Sequence, residues 1–217
     1  MTAPNILILY AHPAPQRSPV NRRLAEAARA LPGVDLRDLY ELYPDFDIDA
    51  EGERALLEAA HLVVLLHPIR WYGMPSMLKE WMDVVLRPGW AYGDGECALR
   101  GKRCWLVTST GSPAEAYGPE GIHGHPFEAF LLPIRQIAAL CGMDWLAPLV
   151  LHGSVDAGEA AIEAHVHEFQ RRLAGYIGSA SGSTSGSTSG STSGSTSGST
   201  SGSPGGGAQS VETRHGA

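Results

Sequence analysis

Asn5-Ile6-Leu7-Ile8-Leu9-Tyr10 opens the chain with a continuous apolar run. A strand that is apolar at every position, not every second one, is covered on both faces, as in a parallel sheet. A polar loop follows, then Ser18-Pro19, a capping residue with proline at the first helical position. Leu24, Ala27, Ala28 and Leu31 recur at helical spacing, and Pro32-Gly33 ends that helix. Val34–Leu39 reads as a second strand, residues 51–60 as a helix, and Leu62–Leu66 as another buried strand. Leu78, Trp81, Met82 and Val85 mark an amphipathic helix stopped by Pro88-Gly89. Cys104–Thr108 is a fourth strand, Pro126–Leu140 a helix in which Pro133 predicts a break or kink, and Trp145–Leu151 the last strand. Ile162, Val166, Phe169, Leu173 and Tyr176 give a closing helix.

Strands alternating with helices predict an α/β domain of three layers around a five-stranded parallel sheet. Such sheets bind ligands at the carboxyl ends of their strands, where strand order reverses. In the flavodoxin-like order 2-1-3-4-5 that point lies between strands one and three. The segments to inspect are therefore 11–19, 68–75 and 109–125.

Each segment carries unusual chemistry. The first delivers a helix N-terminus, which favours anions, with Arg17 and Ser18 suited to a phosphate; an ordinary capped helix start reads the same way. The second, His67-Pro68-Ile69-Arg70-Trp71-Tyr72-Gly73-Met74-Pro75, sets two aromatics in a proline-stiffened loop. They either flank a planar ring or plug the end of the sheet. The third, Thr108-Ser109-Thr110-Gly111-Ser112 through Tyr117 and Gly121-Ile122-His123-Gly124-His125, offers hydroxyls and amides to a heterocycle. Tyr117 and His123 add a proton donor and a group that titrates near neutrality. A merely solvated loop of this length is unusual in a compact domain.

Composition narrows the classes. The net charge of −7 over 217 residues disfavours nucleic-acid binding, which relies on Lys and Arg. No apolar run reaches a membrane-spanning length, and Met1–Asn5 has no signal-peptide character. Cys97, Cys104 and Cys141 show no metal spacing, and a sparse odd count suits a reducing cytoplasm. From Ser181 to Ser203 the chain repeats Ser-Gly-Ser-Thr, then runs Pro-Gly-Gly-Gly. With no apolar residues this segment cannot build a core, so residues 1–177 are expected to form the domain and 178–217 a disordered tail or linker. Gly93-Asp94-Gly95-Glu96-Cys97-Ala98 matches a dinucleotide fingerprint on paper, but it neither follows a strand nor opens a helix. His165 and His167, two apart on a helix, point to different faces, and no metal is expected.

With these residues in view, the chain resembles the flavodoxin-fold NAD(P)H:quinone oxidoreductases, and among them the ancillary KefF type of glutathione-regulated potassium-efflux systems. The matching segments are Tyr10-Ala11-His12-Pro13, Leu42-Tyr43-Pro44-Asp45-Phe46, His67-Pro68 through Trp71-Tyr72, Leu78-Lys79, Gly89-Trp90-Ala91-Tyr92-Gly93 and Cys141-Gly142. The resemblance implies FMN as cofactor, with FAD the alternative, and NAD(P)H and a quinone as alternating substrates. His12, Ser18 and Asn21 match residues that hold the flavin phosphate and ribityl chain. Pro68, Ile69, Trp71 and Tyr72 match contacts to the flavin ring edge, with Arg70 standing where relatives carry Gln. Ser109, Thr110 and Gly111 match third-loop flavin contacts, and Ser112 replaces a common Gly. Tyr117 and His123 match a pair that assists hydride transfer. A homodimer in the cytoplasm is implied too. The alternative role is a regulatory subunit bound to the cytoplasmic domain of a potassium-efflux antiporter, at the inner face of the membrane. A one-electron carrier of the flavodoxin type is the remaining class, disfavoured by Tyr117 and His123.

Overall fold

The computed structural model describes residues 6–182. Six strands form one parallel sheet: β1 (Ile6–Tyr10), β2 (Val34–Asp38), β3 (Leu62–Pro68), β4 (Arg103–Ser109), β5 (Asp144–Trp145) and β6 (Leu149–Leu151). The order is β2-β1-β3-β4-β5, with β6 also pairing β4. This is the flavodoxin-like arrangement expected from the sequence.

The apolar strands sort their side chains by the two-residue period of a pleated sheet. Leu7, Leu9, Val63, Leu65, Cys104 and Leu106 face one layer, packing with α3 (Ala50–Ala59), α4 (Ser76–Val85) and α5 (Leu132–Leu140). Ile6, Ile8, Tyr10, Val64, Trp105 and Val107 face the other, against α1 (Pro19–Arg29) and α6 (Glu159–Gly182). A separate apolar void of about 30 Å³ lies under α4 and α5, away from the strand ends.

Three local expectations need correction. The last strand is not continuous. Asp144–Trp145 pairs with Arg103–Cys104 and Leu149–Leu151 pairs with Val107–Ser109, and between them Pro148 has no N–H to give the ladder. The helix over 126–140 is a 3-10 segment, Phe127–Leu131, followed by α5. Pro133 sits in the first turn of α5, where its missing donor costs nothing, so it opens the helix and does not kink it. A short helix, α2 (Leu39–Leu42), begins where the second strand was expected to end, capped by Asp38. The closing helix continues to Gly182, past Ile177; the Ser-Gly-Ser-Thr repeat beyond it lies outside the described residues. Among the described residues no helix is long and apolar enough to cross a membrane.

One buried charge ties the α3/α4 layer to the sheet. Glu53 is fully buried. Its Oε1 accepts from Tyr43 Oη at 2.6 Å and from Arg37 Nη2 at 2.8 Å, and its Oε2 accepts from Trp81 Nε1 at 3.1 Å. Burial, then the hydrogen bond to Glu53, pushes the Tyr43 phenol up to about 12, so it stays a donor. The network joins β2, the 43–49 loop, α3 and α4, and α4 begins directly after the second site loop. Glu53→Ala strips three donors of their acceptor and is expected to cost about 3 kcal/mol of stability in urea unfolding. An unchanged midpoint would show that the network is neutral.

Candidate flavin site

The carboxyl ends of β1, β3, β4 and β6 converge on two adjoining cavities. The first, about 340 Å³, is lined by His12, Arg17, Ser18, Pro19, Asn21, Pro68, Ile69, Arg70, Ser109, Gly111, Ser154, Val155 and Ala157. The second, about 220 Å³, is lined by Ile69, Trp71, Tyr72, Thr110, Gly111, Ser112, Tyr117 and His123. Ile69 and Gly111 line both, so the cavities are continuous. Every expected site residue borders one or the other.

The first cavity is cationic. Ser18 caps α1 by accepting from Asn21 N. Arg17 and Arg70 both reach it, and neither has an ion pair among the described residues. His12 is buried, and its Nδ1 accepts from the Ala14 amide at 3.0 Å. Burial, and then the charge of Arg70, lowers its pKa to about 4. His12 is therefore a neutral ring whose proton is on Nε2, a donor at neutral pH.

Asn21 has a more specific job than the sequence suggested. It is fully buried, and Nδ2 donates to Ser18 Oγ at 3.0 Å and to Ser109 Oγ at 2.8 Å. Both amide protons are committed within the protein, while Oδ1 has no partner. Asn21 thus clamps the helix start to the end of β4 and leaves one acceptor in a cavity wall.

The second loop turns at Arg70–Gly73. Arg70 N donates to Gly73 O at 2.8 Å, and Gly73 N donates back at 3.0 Å. Trp71 and Tyr72 both have positive φ, 47° and 66°. This is a type I′ hairpin turn, which normally requires Asn-Gly. Trp71 is 95% exposed and Tyr72 51%, so the aromatics do not plug the sheet end. Tyr72 stacks on Phe130 at 5.1 Å and meets the edge of His123 at 5.6 Å. The backbone amides of Trp71 and Tyr72 make no hydrogen bond among the described residues.

In the third loop the Thr110 hydroxyl is engaged within the protein. The Thr110 hydroxyl donates to Ser112 O at 2.8 Å and lies 2.9 Å from His152 Nδ1, from which it accepts. Its proton is spent inside the loop, and Thr110 is 2% exposed. The groups left for a ligand are the Gly111 and Ser112 amides, which have no partner among the described residues. Tyr117 and His123 lie face to face, ring centroids 4.5 Å apart, and His123 Nε2 lies 3.0 Å from Ser112 Oγ.

A fourth segment, 152–157, was not anticipated. It carries His152, packed 5.2 Å from Tyr117 and 4.8 Å from Phe127, and Ser154, Val155 and Ala157 of the first cavity. Its position after β6, at the same sheet edge as the other loops, was the available signal.

The sequence matches the family described as Flavodoxin-like fold over residues 4–173. The ancillary protein KefF of the glutathione-regulated potassium-efflux system of Citrobacter koseri is 42% identical, over 79% of this chain and 96% of that protein. Three solved structures superimpose well. One, described as a thermophilic tryptophan halogenase from Streptomycin violaceusniger, is 36% identical with a TM-score of 0.74, covering 77% of this chain and 97% of that one. General stress protein 14 of Treponema denticola, in complex with FMN, is 33% identical with a TM-score of 0.72, covering 81% and 99%. An NADPH-quinone reductase from P. pentosaceus is 27% identical with a TM-score of 0.69, covering 77% and 96%. The chain belongs to the flavodoxin-like family, in the branch that includes these KefF proteins.

Two outcomes follow from the geometry. Trp71 has little packing to lose, and Asn tolerates positive φ, so Trp71→Asn should raise the ligand-free urea stability by about 1 kcal/mol. A fall in the midpoint would mean the turn is unstrained. His12, His67 and His165 are all lowered to about 4, burial being the largest cause in each. In the unfolded chain they titrate near 6.5, so between these values the unfolded state binds more protons. Stability should be level above pH 6.5 and fall as pH drops toward 4, seen as a lower urea midpoint at about pH 5 than at about pH 7.5. His67→Gln should reduce that slope.

Proposed function

We propose that the chain is a flavin-dependent NAD(P)H:quinone oxidoreductase holding FMN across the two adjoining cavities. The observation that carries this reading is their division of labour. One is polar, cationic and set at a helix N-terminus, while the other is walled by aromatic rings and free backbone amides. The residues fit such a cofactor. The unpaired guanidinium groups of Arg17 and Arg70, the Ser18 hydroxyl and the α1 N-terminus suit a terminal phosphate. The orphaned Asn21 Oδ1 and the neutral His12 donor suit the hydroxyls of a ribityl chain. Trp71, Tyr72 and Tyr117 suit a flat ring, and the Trp71, Tyr72, Gly111 and Ser112 amides suit its nitrogens and carbonyls. The FMN complex of one neighbour and the quinone reductase description of another support this assignment.

When bound, the flavin supplies two-electron chemistry, taking a hydride from a reduced nicotinamide and giving it to a quinone. The protein's part is orientation and charge. With a flavin bound, the exposed face of Trp71 would offer one surface to a flat substrate, and two substrates sharing it would have to alternate. Tyr117 and His123 offer a phenol and an imidazole to charge developing on flavin or quinone oxygens. Arg17 and Arg70 favour FMN over FAD, because a terminal phosphate carries a second charge that a diphosphate linkage spreads out. The homodimer is part of the same proposal: Trp71 and Ile122 give an apolar rim at 95% and 88% exposure, suited to cover by a second copy.

The KefF relatives favour a second reading, a flavin-binding subunit that activates a potassium-efflux antiporter from the cytoplasmic side. The two can coexist. Capture of the antiporter's soluble domain by flavin-loaded protein supports the regulatory role, and retained reductase activity without capture favours a stand-alone enzyme.

The purified protein should absorb in the visible and release FMN on denaturation. A colourless protein that takes up no flavin contradicts the reading at its base. His123→Ala should slow reduction by NADPH about a hundredfold in rapid mixing while FMN stays bound; an unchanged rate removes His123 from the chemistry.

A further inference from the structure

His123 stands on the 117–125 loop, and its ring is surrounded mostly by aromatic faces. Tyr117, Tyr72 and Phe130 lie at centroid distances of 4.5, 5.6 and 6.3 Å. Those faces limit the tilt of the ring but do not choose between its two nitrogens. The one polar anchor on the ring among the described residues is Ser112, whose hydroxyl lies 3.0 Å from Nε2. Nδ1 has no partner among the described residues.

Ser112 is itself held firmly. Its carbonyl accepts from the Thr110 hydroxyl at 2.8 Å and from the Gly153 amide at 2.8 Å. Thr110 in turn is locked by the Leu151 carbonyl, which accepts from Thr110 N at 3.0 Å, and by His152. The serine is therefore fixed to the ends of β4 and β6, whereas His123 stands farther along the same loop. That stretch is pinned by its own backbone bonds: His123 N donates to Ala116 O at 3.1 Å and Gly118 N to His125 O at 2.7 Å. A single side-chain hydrogen bond thus references the imidazole to the sheet.

We propose that Ser112 is the positioning residue for His123, holding Nε2 in both protonation states of the ring. A hydroxyl oxygen is suited to this task because it accepts from Nε2–H whether or not Nδ1 carries a proton. With the ring neutral and its proton on Nε2, Nε2–H donates to Ser112 Oγ. With the ring protonated, the added proton is on Nδ1 and the bond from Nε2–H to Ser112 Oγ is unchanged. His123 can then take up or release a proton at Nδ1 without losing its anchor or swinging out of the cavity. Tyr72 and Tyr117 are the other titratable groups against the ring, and both meet it through their faces or edges. The catalytic consequence rests on the reading of His123 given above; the positioning itself does not.

The test uses FMN-loaded protein and the variants Ser112→Ala, Ser112→Gly, Ser112→Thr and His123→Ala. Side-chain nitrogen NMR of His123 reads the tautomer. The wild-type protein should show one dominant tautomer with its proton on Nε2, Ser112→Ala and Ser112→Gly a mixture, and Ser112→Thr the wild-type pattern. Reduction by NADPH across the neutral range should be about tenfold slower in the Ala and Gly variants, with a displaced pH profile, and restored in the Thr variant. FMN affinity should hold in all of them. A His123 spectrum that is the same in wild type and Ser112→Ala overturns the proposal, as does a slowed Ala variant with an unshifted pH profile. If the tautomer responds to Ser112 but His123→Ala reduces at the wild-type rate, positioning stands and the catalytic reading of His123 falls.

Discussion

The side-chain amide of Asn21 joins the two halves of the site. Its two protons reach Ser18 at the start of α1 and Ser109 at the end of β4, residues that a parallel sheet would otherwise leave as separate strand ends. Ser109 also offers its carbonyl to the Ile69 amide at 2.9 Å, so the second loop is tied to the same point. The cationic cavity exists because these three segments are held at one corner. The price is an unpaired buried oxygen, Oδ1, an arrangement that costs stability in isolation. A ligand hydroxyl would remove that cost.

The turn at Arg70–Gly73 follows the same logic. Two bulky residues in left-handed backbone are held by a pair of hydrogen bonds that Asn-Gly would satisfy with less strain. Trp71 gains no burial in return. Strain without packing is what a surface shaped for a flat partner would show: the turn points an indole outward and leaves two amides free. The α4 layer bears the load, since Trp81 and Glu53 fix the helix that begins just after the loop.

Much of the fold was legible because coverage on both faces makes β1, β3 and β4 apolar throughout, and because a parallel sheet puts its loops at one edge. The three loops that line the cavities followed from that edge rule. The details that escaped depend on partners far away in sequence. Nothing local to Thr110 shows that its hydroxyl also meets His152, distant in the chain. Pro148, inside the apolar run Trp145–Leu151, was the available signal for the split of the last strand. The 152–157 segment follows β6 at the same sheet edge, so the rule that selected the other three loops applies to it too.

Charge placement completes the account. The protein carries a net −7, yet Arg17 and Arg70 line one cavity without an ion pair among the described residues, while Arg37 pairs with Glu53, and Arg171 and Arg172 share Glu168. His12, between them, is kept neutral by burial and by the charge of Arg70. A positive His12 would add a third cation to the same cavity and repel Arg70. A neutral one adds a donor without that repulsion. The site therefore concentrates positive potential in two flexible guanidinium groups that an anion can gather, and keeps its rigid, buried imidazole for direction. In an acidic protein such a focus favours the approach of an anion to this one cavity.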